Sequence, residues 1–140
     1  MLRTDYILRL IEQLGAALRT LMGGSSVSEA QTEQSLEMIE TACQRVVGLS
    51  YSTIRGMAPE QLIELFRSGG GTWLDRSFAV ASLLGHDAEI SRRAGDAVRA
   101  RDSAERALYI YSVLKADPGL PPSYEIDAKS RQLIRLLEEL

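Results

Sequence analysis

The residues of this chain that could carry out chemistry are few. His86 and Glu89 lie three apart on one face of a predicted helix, but dinuclear metal sites in helical bundles use Glu-x-x-His, in that order and twice. Because His86 is the only histidine, we predict no metal site, and a histidine that is exposed or close to a helix end. Ser112 and Lys115 form a Ser-x-x-Lys string without the Ser-Asp-Asn and Lys-Thr-Gly strings that accompany it in β-lactamases. We therefore interpret that string as chance.

A single cysteine and a glycine run are the remaining candidates for chemistry. Cys43 lies on the apolar face of a predicted helix, so we expect a small buried hydrophobic residue and not a nucleophile. The run 68–71 (Ser-Gly-Gly-Gly) precedes a predicted helix, where glycine-rich loops can bind phosphate. It lacks the lysine and the preceding strand of a phosphate-binding loop, so we interpret it as a linker. We predict no catalytic residue and no cofactor.

An arginine-rich stretch covers residues 87–106. Its five basic and five acidic residues are Arg92, Arg93, Arg99, Arg101 and Arg106, and Asp87, Glu89, Asp96, Asp102 and Glu105. The two sets cancel, so the first interpretation is a solvated, ion-paired surface whose pairs stabilise the fold by tenths of a kcal/mol each. The alternative is a concave helical groove that binds the carboxylate of a peptide.

Composition and charge exclude several classes of function. The 140 residues hold 16 Lys and Arg against 19 Asp and Glu, a net charge of −3, and both signs are mixed along the chain. Nucleic-acid binding needs a concentrated basic face, so we predict none. No apolar run reaches the roughly 18–20 residues that cross a membrane, and the N-terminus does not resemble a secretory signal. We expect a cytoplasmic protein that does not bind membranes.

Hydrophobic periodicity predicts an all-α chain that forms a single domain over residues 1–140. No stretch shows the alternation of a half-buried strand. We expect about six helices in a compact bundle of antiparallel hairpins, at 4–22, 28–47, 59–68, 72–94, 97–115 and 124–139. The helix over 72–94 is apolar nearly all round for its first three turns, which places it in the middle of the bundle.

Several residues mark the ends of these helices. Ser28 begins a capping box, and Ser123 is expected to cap the last helix. Gly95 suits the left-handed conformation that ends a helix, and Asp96 can cap the next one. Residues 50–56 are expected to form an irregular turn.

The hairpin around this turn resembles a tetratricopeptide repeat. The residues that match the repeat's second helix are Ala100, Ala104, Ala107 and Leu108. In the first helix Leu84 and Ala88 fit the pattern, whereas Asp87 and Ser91 stand where Leu and Tyr are usual. The resemblance covers roughly residues 81–114, and only its second half is specific.

The whole chain also resembles a small uncharacterised bacterial family of tetratricopeptide-like helical proteins. The similar segments are 5–14, Gly48-Leu49, 59–62 and the Ala-Gly-Asp turn at 94–96, in the same order and spacing. The resemblance implies a tetratricopeptide-like fold and no known activity.

The leading hypothesis is a non-enzymatic protein-interaction or scaffold module that self-associates, most simply as a homodimer. A single repeat cannot bury both of its faces, so neighbouring elements or a second chain must cover them. The helix over 97–115 also has a second apolar side. The predicted interaction surface comprises Arg92, Arg93, Arg99, Tyr109, Ile110 and Val113.

The alternative hypothesis is a helical enzyme or small-ligand sensor with a pocket near residues 86–93. Its expected lining is His86, Asp87, Glu89, Arg92 and Arg93. It predicts a cavity where some of these groups converge with shifted pKa values.

Overall fold

The computed structural model describes residues 3–24 and 27–140, and over these ranges the fold is all-α without a strand. The elements are α1 Arg3–Leu21, α2 Glu29–Val46, α3 Tyr51–Gly56, α4 Pro59–Ser68, α5 Trp73–Arg93, α6 Ala97–Lys115, a 3-10 helix Pro122–Tyr124, and α7 Ile126–Glu138. All six predicted helices are present, with bounds within two residues of those expected. The predicted irregular turn over 50–56 is instead the short helix α3, which Ser50 caps by accepting a hydrogen bond from the Thr53 amide at 3.2 Å.

Helix α5 is the centre of the bundle, as its apolar sequence predicts. It packs against α1, α2, α4, α6 and α7. Every residue from Phe78 to Leu84 is at most 5% exposed, so all sides of this part of the helix contact protein.

The α5–α6 hairpin has the predicted turn. Gly95 adopts a φ of +84°, and the Asp96 carboxylate accepts a hydrogen bond from the Arg99 amide at 3.0 Å. Ala100, Ala104 and Ala107 are fully buried on α6, the helix that packs most extensively on α5. Small side chains at a helix contact allow a short interaxial distance, which explains why α6 lies so closely on α5.

Helix α1 runs parallel to α5 along one side. At its first turn the Thr4 hydroxyl donates to the Asp75 carboxylate at 3.1 Å. Beyond its last turn the Gly24 carbonyl accepts a hydrogen bond from the Arg93 guanidinium at 2.5 Å. Because residues near both ends of α5 contact the matching ends of α1, the two helices point the same way.

Helix α7 is also parallel to α5, on another side. The Tyr124 hydroxyl, just before α7, hydrogen-bonds the Asp75 carboxylate, and Glu139, just after α7, pairs with Arg92 at 3.5 Å. Asp75 therefore accepts hydrogen bonds from both flanking segments at the beginning of α5. The C-terminal turns of α1, α5 and α7 consequently lie at one end of the bundle.

The predicted cap of α7 at Ser123 is wrong. A 3-10 helix precedes α7, and Glu125, at a left-handed φ of 52°, is the N-cap. The Tyr124 ring stacks on Phe78 with centroids 3.7 Å apart. This contact places Tyr124 in the core, and α7 begins only after it.

A buried carboxylate joins α3, α5 and α6. Asp87 is fully buried, and it accepts hydrogen bonds from the Tyr51 hydroxyl at 2.7 Å and the Ser91 hydroxyl at 2.8 Å. Arg99 donates from Nε at 3.0 Å and from Nη2 at 2.9 Å. Arg55 adds a longer contact at 3.3 Å. Two arginines from different helices thus neutralise one carboxylate inside the protein.

A second layer of polar contacts surrounds this carboxylate. Arg55 also donates to the Ser103 hydroxyl and, at 3.1 Å, to the Asp102 carboxylate. Arg106 donates to Asp102 at 3.0 Å and to the Met57 carbonyl at 2.5 Å. The predicted solvated surface is therefore wrong for Asp87, which is fully buried. Asp102 and Arg106 form a partly exposed ion pair, as predicted, and together with Arg99 they tie α6 to α3 and α5.

Electrostatics keep Asp87 ionised. Burial alone would raise the pKa of its carboxyl, but hydrogen bonds from Arg99 and Tyr51 and the charge of Arg99 outweigh burial and lower it. Burial and the neighbouring carboxylate raise the pKa of the Tyr51 hydroxyl, so it remains a donor. Removing one member of such a cluster leaves the other charges without compensation.

Asp87→Asn is expected to destabilise the protein by about 3 kcal/mol, since Arg55 and Arg99 lose the carboxylate between them. Urea unfolding at pH 7 measures this loss. The matched control is Glu89→Gln on the exposed side of α5, which is expected to cost less than about 1 kcal/mol because it removes a surface pair.

Ionised Asp87 contributes fully to the free energy of unfolding at pH values above the pKa of the carboxyl in the unfolded chain. This contribution is lost as the pH falls through the lowered pKa of the folded state. The wild type should therefore lose more stability than Asp87→Asn on acidification below about pH 4. Equal stability of Asp87→Asn and Glu89→Gln at pH 7 would contradict a structural role for this carboxylate.

Candidate functional site

A half-open cavity of about 880 Å³ lies between α1, α5 and α7. It is lined by α1 from Ile11 onward and Met22 just after it, by α5 between Ser82 and Arg93, and by α7 from Lys129 onward and Glu139 just after it. Tyr111 of α6 lies at its base. The volume is within the range of clefts that bind ligands. We call this cavity the α1–α5–α7 cleft.

Small residues of α1 allow a short distance between α1 and α5 in this cleft. A Cβ atom placed on Gly15 would lie 3.2 Å from Cε1 of His86. Glycine inside a helix costs roughly 0.5–1 kcal/mol relative to alanine, and here it makes room for the imidazole. Ala16 follows on the same rim.

The base of the cleft is apolar but offers little accessible surface. Each of its large aliphatic side chains is at most 7% exposed; they are Ile11, Leu18, Met22, Ile90, Leu133 and Leu136. The accessible lining as a whole is mixed, with slightly more apolar than polar surface.

Cations outnumber carboxylates around the cleft. The five cationic side chains are Arg19, Arg92, Arg93, Lys129 and Arg135, and the three carboxylates are Glu12, Glu89 and Glu139. The excess of two positive charges contrasts with the net charge of −3 for the whole chain. Positive charge is thus concentrated at this site.

In the described part of the chain, Arg92 alone among the five cations forms an ion pair. Arg92 binds Glu89 at 2.7 Å and Glu139 at 3.5 Å. Within residues 3–24 and 27–140, the other four have no carboxylate within 4.0 Å; they are Arg19, Arg93, Lys129 and Arg135.

The parallel helices explain part of this clustering. Arg19, Arg93 and Arg135 lie in the last turns of α1, α5 and α7, where the free carbonyls of each helix amount to about half a negative charge. Three helix ends offset only part of the positive charge, and Lys129 lies near the other end of α7.

His86 is a neutral side chain inside this positive site. It is half-buried, and burial, followed by the charges of Lys129 and Arg19, lowers its pKa from 6.5 to about 4. The prediction of an exposed histidine or one near a helix end is therefore wrong. In the described part of the chain no three His, Cys, Asp or Glu residues are arranged to hold a metal ion.

The structure separates the arginines that the sequence placed in one stretch. Arg92 and Arg93 line the α1–α5–α7 cleft, whereas Arg99 binds Asp87 on another side of α5. The predicted pocket near residues 86–93 exists with His86, Glu89, Arg92 and Arg93 in its lining, and without Asp87.

The predicted apolar surface of α6 is only partly exposed. Ile110 is 1% exposed and belongs to the chain's own core, so its assignment to an interaction surface is wrong. Tyr109 is 39% exposed, and Val113 is half-buried. Helix α7 packs on α6, so this chain partly covers its own second face.

Sequence reasoning missed Arg19, Lys129 and Arg135. Basic residues in the last turns of α1 and α7 are visible in the sequence. They lie in one cleft only because both helices run parallel to α5, which the sequence does not show. Cys43 agrees with its prediction, since it is fully buried, donates to the Leu49 carbonyl at 3.2 Å, and has a pKa raised to about 12 by burial and Glu40.

No protein-family model matches the chain, and neither the curated proteins nor the solved structures searched contain a match. The resemblances to the tetratricopeptide repeat and to the bacterial helical family therefore stay predictions. Among residues 3–24 and 27–140, no helix has the length and apolar character needed to cross a membrane.

Titration of His86 should make stability depend on pH. Between pH 6.5 and 4 the unfolded chain binds a proton at this residue and the folded chain does not, so stability falls as the pH is lowered through this window. In urea unfolding, the wild type should lose about 2 kcal/mol more than His86→Gln between pH 7 and 4.5. If the stabilities of the two proteins changed equally with pH, the pKa of His86 would be the same in the folded and unfolded states, which would contradict the prediction.

Proposed function

We propose that this chain is a non-enzymatic binding module whose ligand site is the α1–α5–α7 cleft and whose ligand is anionic. The observation that carries the proposal is the set of four cations around one cavity without carboxylate partners in the described chain. In a chain of net charge −3, neighbouring cations raise the free energy of the empty site, and a bound anion removes that repulsion.

The cationic side chains suit oxyanions. Guanidinium groups bind a carboxylate or phosphate through two parallel hydrogen bonds, and such charge-assisted bonds are about twice as strong as neutral ones. Arg19 and Arg135 lie on α1 and α7, on opposite sides of the exposed part of α5.

Two of the cleft groups that could transfer protons, His86 and Glu89, are poorly suited to catalysis at neutral pH. A general acid or base works best with a pKa near the working pH, whereas the pKa of His86 is lowered to about 4. Glu89 is bound by Arg92 through contacts of 3.0 and 2.7 Å. These features favour binding over an enzymatic role.

Self-association remains a separate prediction. Its sequence argument needed neighbouring elements or a second chain to cover one face of α6, and α7 covers part of that face. The exposed apolar side chains available to a second copy include Tyr109 and Val98 on α6 and Ile134 on α7.

The anionic fluorophore anilinonaphthalene sulfonate (ANS) tests the proposal. At low salt and pH 7.5 we expect it to bind the native protein with a Kd of about 10–100 μM. Arg135→Glu should weaken binding about tenfold because it reverses a charge at the cleft. The matched control is Arg101→Glu, an equal charge reversal on an exposed residue of α6, which should change the Kd less than twofold.

Circular dichroism checks that both variants are folded. Equal Kd values for Arg135→Glu and Arg101→Glu, or no ANS binding by the folded wild type, would contradict an anion site in this cleft.

A further inference from the structure

We infer that the ligand of the α1–α5–α7 cleft is a phosphate monoester of a small organic molecule, with its phosphate bound beside His86 by Arg19 and Lys129. The inference rests on the proposed function, because it names the chemical class of the anionic ligand and the place of its charged group. It is supported by the positions of these three side chains, by their charges, and by the donor groups that they offer.

The Arg19 guanidinium lies beside the His86 imidazole. A Cβ atom placed on Gly15 would lie 3.4 Å from Nη1 of Arg19 and 3.5 Å from Nε2 of His86, so both groups approach the same glycine. Arg19 is four residues after Gly15, and its side chain extends back along α1, as helical side chains favour. The charge of Arg19 therefore lies next to the ring, although its backbone is in the last turn of α1.

Lys129 approaches His86 from α7, on the other side of the cleft. The two charges that lower the pKa of His86 are those of Lys129 and Arg19, so both cations lie close to the ring. In the part of the chain that the structure describes, neither cation has a carboxylate within 4.0 Å. The charge around His86 is therefore positive and uncompensated.

His86 adds a neutral hydrogen-bonding group at the same place. The ring is half-buried and lines the cleft, and among residues 3–24 and 27–140 it has no hydrogen-bond partner. A neutral imidazole keeps one N–H donor, and a polar group that loses water without gaining a partner costs free energy. An oxygen atom of a bound ligand can accept this hydrogen bond.

A phosphate monoester matches both the charge and the donor groups. Near pH 7 it carries a charge of about −1.5 to −2 on three terminal oxygens. The guanidinium, the ammonium and the imidazole N–H supply one donor group for each oxygen, and Arg19 and Lys129 together carry two positive charges. A carboxylate offers only two oxygens and one negative charge, so it would leave one cation uncompensated. A sulfonate has three oxygens but again a single charge.

The cleft is much larger than a phosphate group. Its volume of about 880 Å³ is within the range of roughly 300–1,000 Å³ that is usual for sites of small organic molecules. Its lining is mixed, with slightly more apolar than polar surface, and includes Tyr111 at the base. We therefore expect the organic part of the ligand to fill the remaining volume and to contribute to the affinity.

Calorimetric titration with three compounds that share a benzene ring tests the chemical class. Phenyl phosphate is a dianion with three terminal oxygens, benzenesulfonate is a monoanion with three, and benzoate is a monoanion with two. At pH 7.5 and low salt we expect phenyl phosphate to bind with a Kd of about 10–200 μM. Benzenesulfonate and benzoate should bind about tenfold more weakly because they lack the second charge. Inorganic phosphate should bind about fivefold more weakly than phenyl phosphate because it buries no organic surface.

Substitutions test the position of the phosphate. Arg19→Gln and Lys129→Gln should each weaken the binding of phenyl phosphate about tenfold, because each removes a charge-assisted contact. The matched control is Arg101→Gln, on an exposed residue of α6, which should change the Kd less than twofold. Since His86 is the only histidine, its imidazole nitrogen signals in NMR spectra are unambiguous, and they should shift as phenyl phosphate is added. Circular dichroism checks that the variants are folded.

The outcomes separate this inference from the proposed function. The phosphate site is wrong, while the anion site stands, if ANS binding depends on Arg135 but phenyl phosphate binds no more tightly than benzenesulfonate. The same holds if Arg19→Gln and Lys129→Gln bind phenyl phosphate as Arg101→Gln does, or if the His86 signals do not move. Tighter binding of a phosphoserine peptide or of inorganic phosphate than of phenyl phosphate would overturn the small organic ligand. If ANS binding does not depend on Arg135, the proposed function fails as well.

Discussion

The architecture depends on the need to neutralise one buried carboxylate. Asp87 is fully buried in the central helix, and an uncompensated charge in that position would cost several kcal/mol. Arg55 from the segment of α3 and Arg99 from α6 supply the compensation. Both helices are therefore held on one side of α5, and neither is available to cover the side where His86 lies.

The α1–α5–α7 cleft follows from this division of α5. At the beginning of α5, Asp75 accepts hydrogen bonds from Thr4 and Tyr124, which brings the first turn of α1 and the approach to α7 to the same point. The two helices then run parallel to α5 and end together. Their last turns carry arginines suited to helix C-termini, so one end of the cleft becomes strongly basic. The contacts of Asp87 and Asp75 that hold the helices in place thus also produce a cleft with an excess of positive charge.

Local features of the fold were predictable from sequence because they depend on neighbours in the chain. The capping box at Ser28 and the turn at Gly95-Asp96 are present as expected, and the apolar first half of α5 is the core. Each of these depends on residues within one or two turns. Tyr124 shows the opposite case, since its stacking on Phe78, 46 positions earlier, decides where α7 begins.

The cleft was only partly predictable, for the same reason. Periodicity identifies which face of a helix is apolar, but not which helices become neighbours or whether they run parallel. His86, Arg92 and Arg93 were expected in a pocket, whereas Lys129 and Arg135 reach it from α7, across the turn-rich segment that follows α6. Asp87 was assigned to the same pocket because it adjoins His86, yet successive helical residues point about 100° apart. The charge of Asp87 therefore turns inward while His86 faces the cleft.

Amide NMR spectra recorded during a titration with ANS locate the anion site, because glycines lie both in the cleft and beside the Asp87 cluster. We expect the amide signals of Gly15 and Gly85 to shift with ligand concentration, while those of Gly56, at the end of α3, and Gly95, before α6, stay in place. Shifts centred on Gly56 and Gly95, with Gly15 and Gly85 unchanged, would contradict an anion site in the cleft.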